Sequence, residues 1–112
     1  MVYRVYMLAS KKADVTLEEF KSHWDNEHLN LLKEIGGDAY PKVHAHRYPA
    51  QVLGPEGAGF DGIGYLEFEK KEDFLRLTTI LGKPENQARV NEDEKKFLDM
   101  SKFQMYVVDD EV

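Results

Sequence analysis

His44, His46 and Tyr48 alternate along one short stretch, and in an extended strand alternate residues share a face. His28 stands earlier in the chain, in a segment whose apolar residues recur at helical spacing. If that helix covers the same face of the strand, up to three imidazoles and a phenol meet beside the indole of Trp24. Imidazole titrates at about pH 6.5, so modest shifts make it an acid or a base near neutrality. A tyrosine hydroxyl can donate a hydrogen bond to an oxygen that gains negative charge. Aromatic walls suit a planar substrate, and an enclosed apolar pocket strengthens each polar contact inside it.

Each of these residues also has a purely structural reading. His28 on an apolar stripe serves equally as a core histidine bonded to a backbone carbonyl, and Trp24 as plain core. The row 44/46/48 could face a neighbouring subunit instead of a helix. The opposite strand phase would turn Val43, Ala45 and Arg47 inward, which buries a guanidinium. His44-x-His46 also has the spacing of a chelating pair, and with His28 it would resemble an open zinc or iron site. Such pairs are common without metal, and no matched carboxylate lies nearby in sequence, so no metal is expected. Asp61 shares a strand face with Ile63, Tyr65 and Glu67; it either orients a histidine or ends a hairpin in solvent. His23 falls on the flank of the helix, with Glu19 and Glu27 four residues away on either side. It is expected to be solvated and is given no role.

The elements that must position these groups follow from the pattern. Val2 to Ala9 is rich in β-branched and aromatic residues and reads as a first, central strand. Ser10 to Val15 is a polar turn. Thr16 is a good N-cap, and Glu19 three residues on completes a capping box. The helix that follows runs to about Ile35 and ends at Gly36-Gly37. At ~100° per residue Leu17, Phe20, Trp24, His28, Leu31, Leu32 and Ile35 group on one side. Val43 to Val52 reads as the second strand, Leu53 to Gly59 as a turn-rich loop, and Phe60 to Phe68 as the third strand, paired with the second as a long-looped hairpin. Helices are expected over Lys70 to Leu81 and from about Pro84 to Leu98, then a last strand over Lys102 to Val108. The acidic tail 109–112 is expected to fray. The order β-α-β-β-α(α)-β is the split βαβ, ferredoxin-like plan of an α+β domain, a four-stranded antiparallel sheet with helices on one face. Neither strand face at the chain ends is cleanly polar, so the bare face is expected to pack against a second copy.

Composition bounds the rest. The chain has 112 residues, 42% of them hydrophobic, and fits one domain. Its net charge of −6, with cations scattered among acids, argues against nucleic acid and anionic lipid as partners. There is no cysteine, hence no disulfide, thiolate nucleophile or cysteine-ligated zinc. No run approaches a membrane span or a signal peptide, and a cytoplasmic location is the expectation. No nucleophile elbow, dinucleotide fingerprint or phosphate loop is present; the glycines at 54, 57 and 59 lie between two strands.

Taken together, the residues resemble the EthD-type branch of the dimeric α/β-barrel superfamily. The resemblance is carried by Leu17-Glu-Glu-Phe20, His23-Trp24-x-x-x-His28-x-x-Leu31-Leu32 and Gly37-x-x-x-Pro41-x-x-His44-x-x-x-Tyr48. Phe60-Asp61-Gly62 followed by Phe68, and Asp93-Glu94-x-x-Phe97, complete the series. It implies a sheet-to-sheet homodimer with one pocket per subunit. Positions matching His28, His44 and Tyr48 line that pocket in similar families, while His46 stands where relatives often show another basic residue. Such families include cofactor-free cyclases, decarboxylases and isomerases, monooxygenases, and members of no known activity.

The expectation is therefore a lyase or isomerase without bound cofactor, acting on a small carbonyl or polyketide-like aromatic substrate. His28 is the expected acid or base, with His44 and Tyr48 binding the carbonyl oxygen and His46 assisting. Trp24 and Tyr65 would stack on the substrate, and Asp61 is a further candidate contact. A monooxygenase of the same fold and a non-catalytic binding dimer are the rival classes.

Overall fold

The computed structural model describes residues 2–57 and 59–108. Four strands, β1 (Tyr3–Ala9), β2 (Val43–Arg47), β3 (Gly62–Phe68) and β4 (Gln104–Val108), form one sheet in the order β2-β3-β1-β4. All three pairings are antiparallel. β1 occupies an interior position, as its run of β-branched and aromatic residues leads one to expect. The helices α1 (Leu17–Ser22), α2 (Leu29–Gly36), α3 (Lys71–Leu81) and α4 (Pro84–Glu94) cover one face. This is the ferredoxin-like α+β architecture. Among the described residues no helix is long and apolar enough to cross a membrane.

Strand alternation sorts the two faces. In β3, Gly62, Gly64, Leu66 and Phe68 are buried under the helices, and Ile63, Tyr65 and Glu67 face the other way. Val5 and Ala9 of β1 are fully buried on the helix side. Two apolar clusters result. One joins Val5, Leu66 and Phe68 to Leu77 of α3; the other joins Ala9 to Phe20, Trp24, Phe97 and Leu98.

The element ends differ from the sequence expectation in instructive ways. The second strand stops at Arg47 rather than at residue 52, because Pro49 lacks the N–H that a ladder needs. The third begins at Gly62 rather than at residue 60. Helix α4 stops at Glu94, and Leu98 instead forms an isolated bridge with Lys11. The capping box at Thr16 is present: Glu19 N donates to Thr16 Oγ1 at 3.1 Å, and Thr16 N donates to Glu19 Oε1 at 2.9 Å. The expected fraying of 109–112 lies outside the described residues.

The first long helix is not uniform. Between α1 and α2, residues His23–His28 form a turn of π-helix. Closing the turn over i→i+5 instead of i→i+4 changes which residues align. On an α-helix, positions 23 and 28 would stand about 140° apart; here both turn toward α4.

Candidate functional site

The site begins with that π-turn. His28 is 4% exposed, and its Nδ1 lies 2.8 Å from Asp93 Oδ2. His23 Nε2 lies 3.0 Å from the other oxygen, Oδ1. An ionised carboxylate only accepts, so the facing ring nitrogens donate. With its single proton on Nδ1, neutral His28 keeps a free lone pair on Nε2. Both imidazoles pack on Phe97, with His23 stacked on it at 4.5 Å between centroids. The expected solvation of His23 is thus corrected: its side chain is only 12% exposed, because the π-turn rotates it off the flank and onto Asp93.

Electrostatics follow from this packing. Burial pushes the His28 imidazolium below its ordinary pKa, and the Asp93 hydrogen bond and charge only partly offset this. The imidazole is therefore neutral near pH 7, as a general base requires. Burial acts to raise Asp93, but hydrogen bonds from His28 and His23 overcome it and hold this carboxyl below its usual range. Among the described residues no group donates to the side chain of the neighbouring Glu94. Its Oε2 stands 4.0 Å from His28 Nε2, and burial, reinforced by the charge of Asp93, pushes its carboxyl up to about 7.

Strand β2 supplies the opposite wall. His44 pairs with Leu66 and His46 with Gly64, and both of those β3 residues lie on the helix side. The 44/46 row therefore faces the helices, while Val43, Ala45 and Arg47 take the other face. His46 stacks on the indole of Trp24, at 4.0 Å between centroids and 15° between planes. Its Nδ1 lies 2.7 Å from Asp25 Oδ1, the oxygen that also accepts from the Tyr48 hydroxyl at 2.5 Å. Trp24 in turn lies on the glycines of β3. A Cβ on Gly62 would come within 2.5 Å of the indole, so the close approach requires glycine there, and one on Gly64 would stand 3.1 Å from it, a tight contact.

Between the two apolar clusters lies a cavity of about 130 Å³. Trp24, His28, Tyr40, His46 and Glu94 are among its polar and aromatic lining, and Leu66, Leu77, Val90 and Met105 among its apolar walls. An apolar cavity of about 150 Å³ accepts a benzene ring, so the space suits a single aromatic ring.

The structure thus brings His28, His46 and Trp24 together and places the other candidates differently. His44 is half-buried beside Tyr40, outside the cavity lining, and burial, Lys33 and His46 all lower its pKa. Tyr48 packs edge-on against Phe20 and Trp24, and its hydroxyl is committed to Asp25. Burial, together with that carboxylate, raises its pKa strongly. Asp61 is remote from the histidines: its Oδ2 accepts from Lys11 N at 2.8 Å and fastens the start of the loop after β1. Tyr65 lies on the bare sheet face, packed at a tilt against Tyr6 with centroids 4.9 Å apart and donating to Glu67 Oε1 at 2.8 Å. Strand parity puts it on the side away from His28, so it does not face the cavity.

Sequence reasoning gives no part to Asp25, Asp93 or Glu94. A signal for the last two exists: Val90, Asp93, Glu94 and Phe97 follow one helical stripe, so both carboxylates lie on an apolar face. His23, Glu27 and Asp93 bring ligand-type atoms within 4.8 Å of one another. His23 already hydrogen-bonds Asp93 and lies in ion-pair contact with Glu27, whose Oε2 is 3.2 Å from His23 Nδ1, so a purely structural network accounts for the cluster.

A ferredoxin-like sheet carrying buried histidine–carboxylate pairs defines the class of domain. The EthD domain family matches residues 12–101, and the chain belongs to that family. Among solved structures it is similar to an EthD family protein of Bacillus halodurans, with 19% identity, TM-score 0.62, and 98% of this chain and 99% of that one covered. It is also similar to an EthD-like protein of Ralstonia eutropha, with 12% identity, TM-score 0.66, and 99% and 93% covered. A dimeric protein of unknown function and ferredoxin-like fold from Bacteroides fragilis matches with 14% identity, TM-score 0.54, and 96% and 95% covered. At these identities the likeness establishes the fold. No curated protein matches the sequence.

Proposed function

We propose that this chain is a cofactor-independent lyase or isomerase of the cyclase, dehydratase or decarboxylase kind, acting in the cytoplasm on a small carbonyl or polyketide-like aromatic compound. His28 is the general base. One observation carries the reading: Asp93 fixes Nδ1 of a buried imidazole at 2.8 Å, on the wall of an apolar cavity that also holds His46 and Trp24. That arrangement favours the tautomer with an unprotonated Nε2 and gives a base active at neutral pH. The base removes a proton from carbon beside a carbonyl, and the stacked His46–Trp24 pair is the flat surface for a ring. His44, Tyr48 and Asp25 hold that surface in place.

The working unit is a homodimer. On the bare face, Tyr6 packs at a tilt against Tyr65, and Tyr106 is half exposed, a surface that a second sheet would cover. The similar protein of Bacteroides fragilis is dimeric.

The test is exchange of the methyl protons of acetophenone in heavy water, followed by proton NMR. The parent protein accelerates exchange, and His28→Gln, with an unchanged circular dichroism spectrum, loses it by about 100-fold or more. Exchange by His28→Gln at the parent rate overturns the reading.

A further inference from the structure

We propose that Glu94 is the second proton carrier of this site, delivering a proton to the oxygen of an enolisable aryl ketone while His28 takes one from the adjacent carbon. The inference rests on the base assigned to His28 above, and it defines how the substrate lies.

Geometry carries it. His28 Nε2 and Glu94 Oε2 are neighbours on the cavity wall, 4.0 Å apart. That is beyond hydrogen-bond reach, so the two do not satisfy each other. Among the described residues the Glu94 carboxyl receives no hydrogen bond, although its side chain is only 14% exposed. In an H–C–C=O unit the α-carbon and the oxygen are separated by about 2.4 Å, from bond lengths of about 1.5 and 1.2 Å. With each atom about 3 Å from its partner, two groups 4.0 Å apart match the two ends of that unit.

The step balances without a further reactant. The C–H bonding pair becomes the C=C bond of the enol, and the carbonyl π pair moves onto oxygen. Oxygen takes the Glu94 proton, the α-proton ends on His28, and the products are enol, imidazolium and carboxylate. The site resets when the enol O–H proton returns to Glu94 while His28 gives its proton to a different carbon or to a departing leaving group. The titratable groups facing Glu94 are His28 from the π-turn, Asp93 from its own helix, His46 from β2 and Tyr40 on the cavity wall. Burial and Asp93 both keep the Glu94 proton in place toward neutrality.

Two variants separate proton delivery from packing. Glu94→Gln keeps a hydrogen-bond donor of the same shape but cannot transfer a proton; Glu94→Leu removes both. Binding is read by quenching of Trp24, the single tryptophan of the chain. Glu94→Gln binds acetophenone within about twofold of the parent, exchanges its protons at least about tenfold more slowly, and loses the alkaline limb of the pH–rate profile. Parent-like exchange and pH profile in Glu94→Gln, with His28→Gln inactive, overturn the role of Glu94 alone. Parent-like exchange in His28→Gln overturns the base beneath it. Para-nitrophenolate, an enolate stand-in, binds the parent at least about tenfold more tightly than Glu94→Leu at neutral pH. Equal binding overturns the assignment whether or not the ketone is turned over.

Discussion

His23 and His28, five positions apart, hold opposite oxygens of one carboxylate, that of Asp93, at 3.0 and 2.8 Å. The shared acceptor ties the π-turn to α4 and orients the base. Asp93→Asn offers one acceptor where two were used, so one ring must change tautomer to accept from the amide, turn away or lose its partner. Turnover is expected to fall by about 100-fold or more, with a loss of about 1–3 kcal/mol in urea unfolding. The fold holds the Asp93 carboxyl below its ordinary value of 3.8. Its contribution to stability is therefore present above that value and is lost as pH falls through the lower folded value. Asp93→Asn flattens this acid limb.

Glu94 has the opposite sign. Its pKa rises from 4.5 to about 7 in the fold, so folding favours its protonated form. The contribution is complete below the unfolded value and is lost as pH rises through the folded one. Calorimetry is expected to show Glu94→Gln gaining Tm relative to the parent at about pH 8 compared with about pH 5. An equal difference at both pH values counts against a buried, proton-retaining carboxyl.

Gly62 and Gly64 form the floor under Trp24, and a Cβ at Gly62 meets a rigid indole at 2.5 Å. Gly62→Ala is expected to cost about 1–3 kcal/mol through overpacking. Trp24 fluorescence shifts with it, because the ring must leave its seat between β3 and His46.

Asp25 holds His46 and Tyr48 through one oxygen. Asp25→Ala frees both side chains and loosens the His46–Trp24 stack. Stability falls by about 0.5–1.5 kcal/mol, and ligand quenching of Trp24 weakens while the fold, read by circular dichroism, persists.

Tyr106 stands half exposed on the bare sheet face opposite Tyr6. Tyr106→Arg is expected to convert a dimer to a monomer in sedimentation velocity, with secondary structure retained. A dimer of unchanged stability would place the interface elsewhere.

The order of strands and helices, the capping box at Thr16 and the alternation of β2 were legible in the sequence, because each depends on local spacing. His28 and Trp24 stood out for the same reason, on an apolar stripe of helical period. The π-turn was not legible: one altered hydrogen-bond repeat moved His23 from the solvent flank to Asp93, seventy residues away in the chain. Nor did the chain order reveal which acids would meet which imidazoles. Asp25 is a charged residue of ordinary appearance until the packing of β2 against the first helix supplies its partners, and the apolar stripe that carries Asp93 does not say which imidazoles it meets. Residue type and period thus determined the scaffold and the inward stripe of the first helix, but not the side taken by Tyr65 or His23. Tertiary contact decided the pairing, because hydrogen bonding and desolvation depend on distances across elements that the linear sequence leaves open.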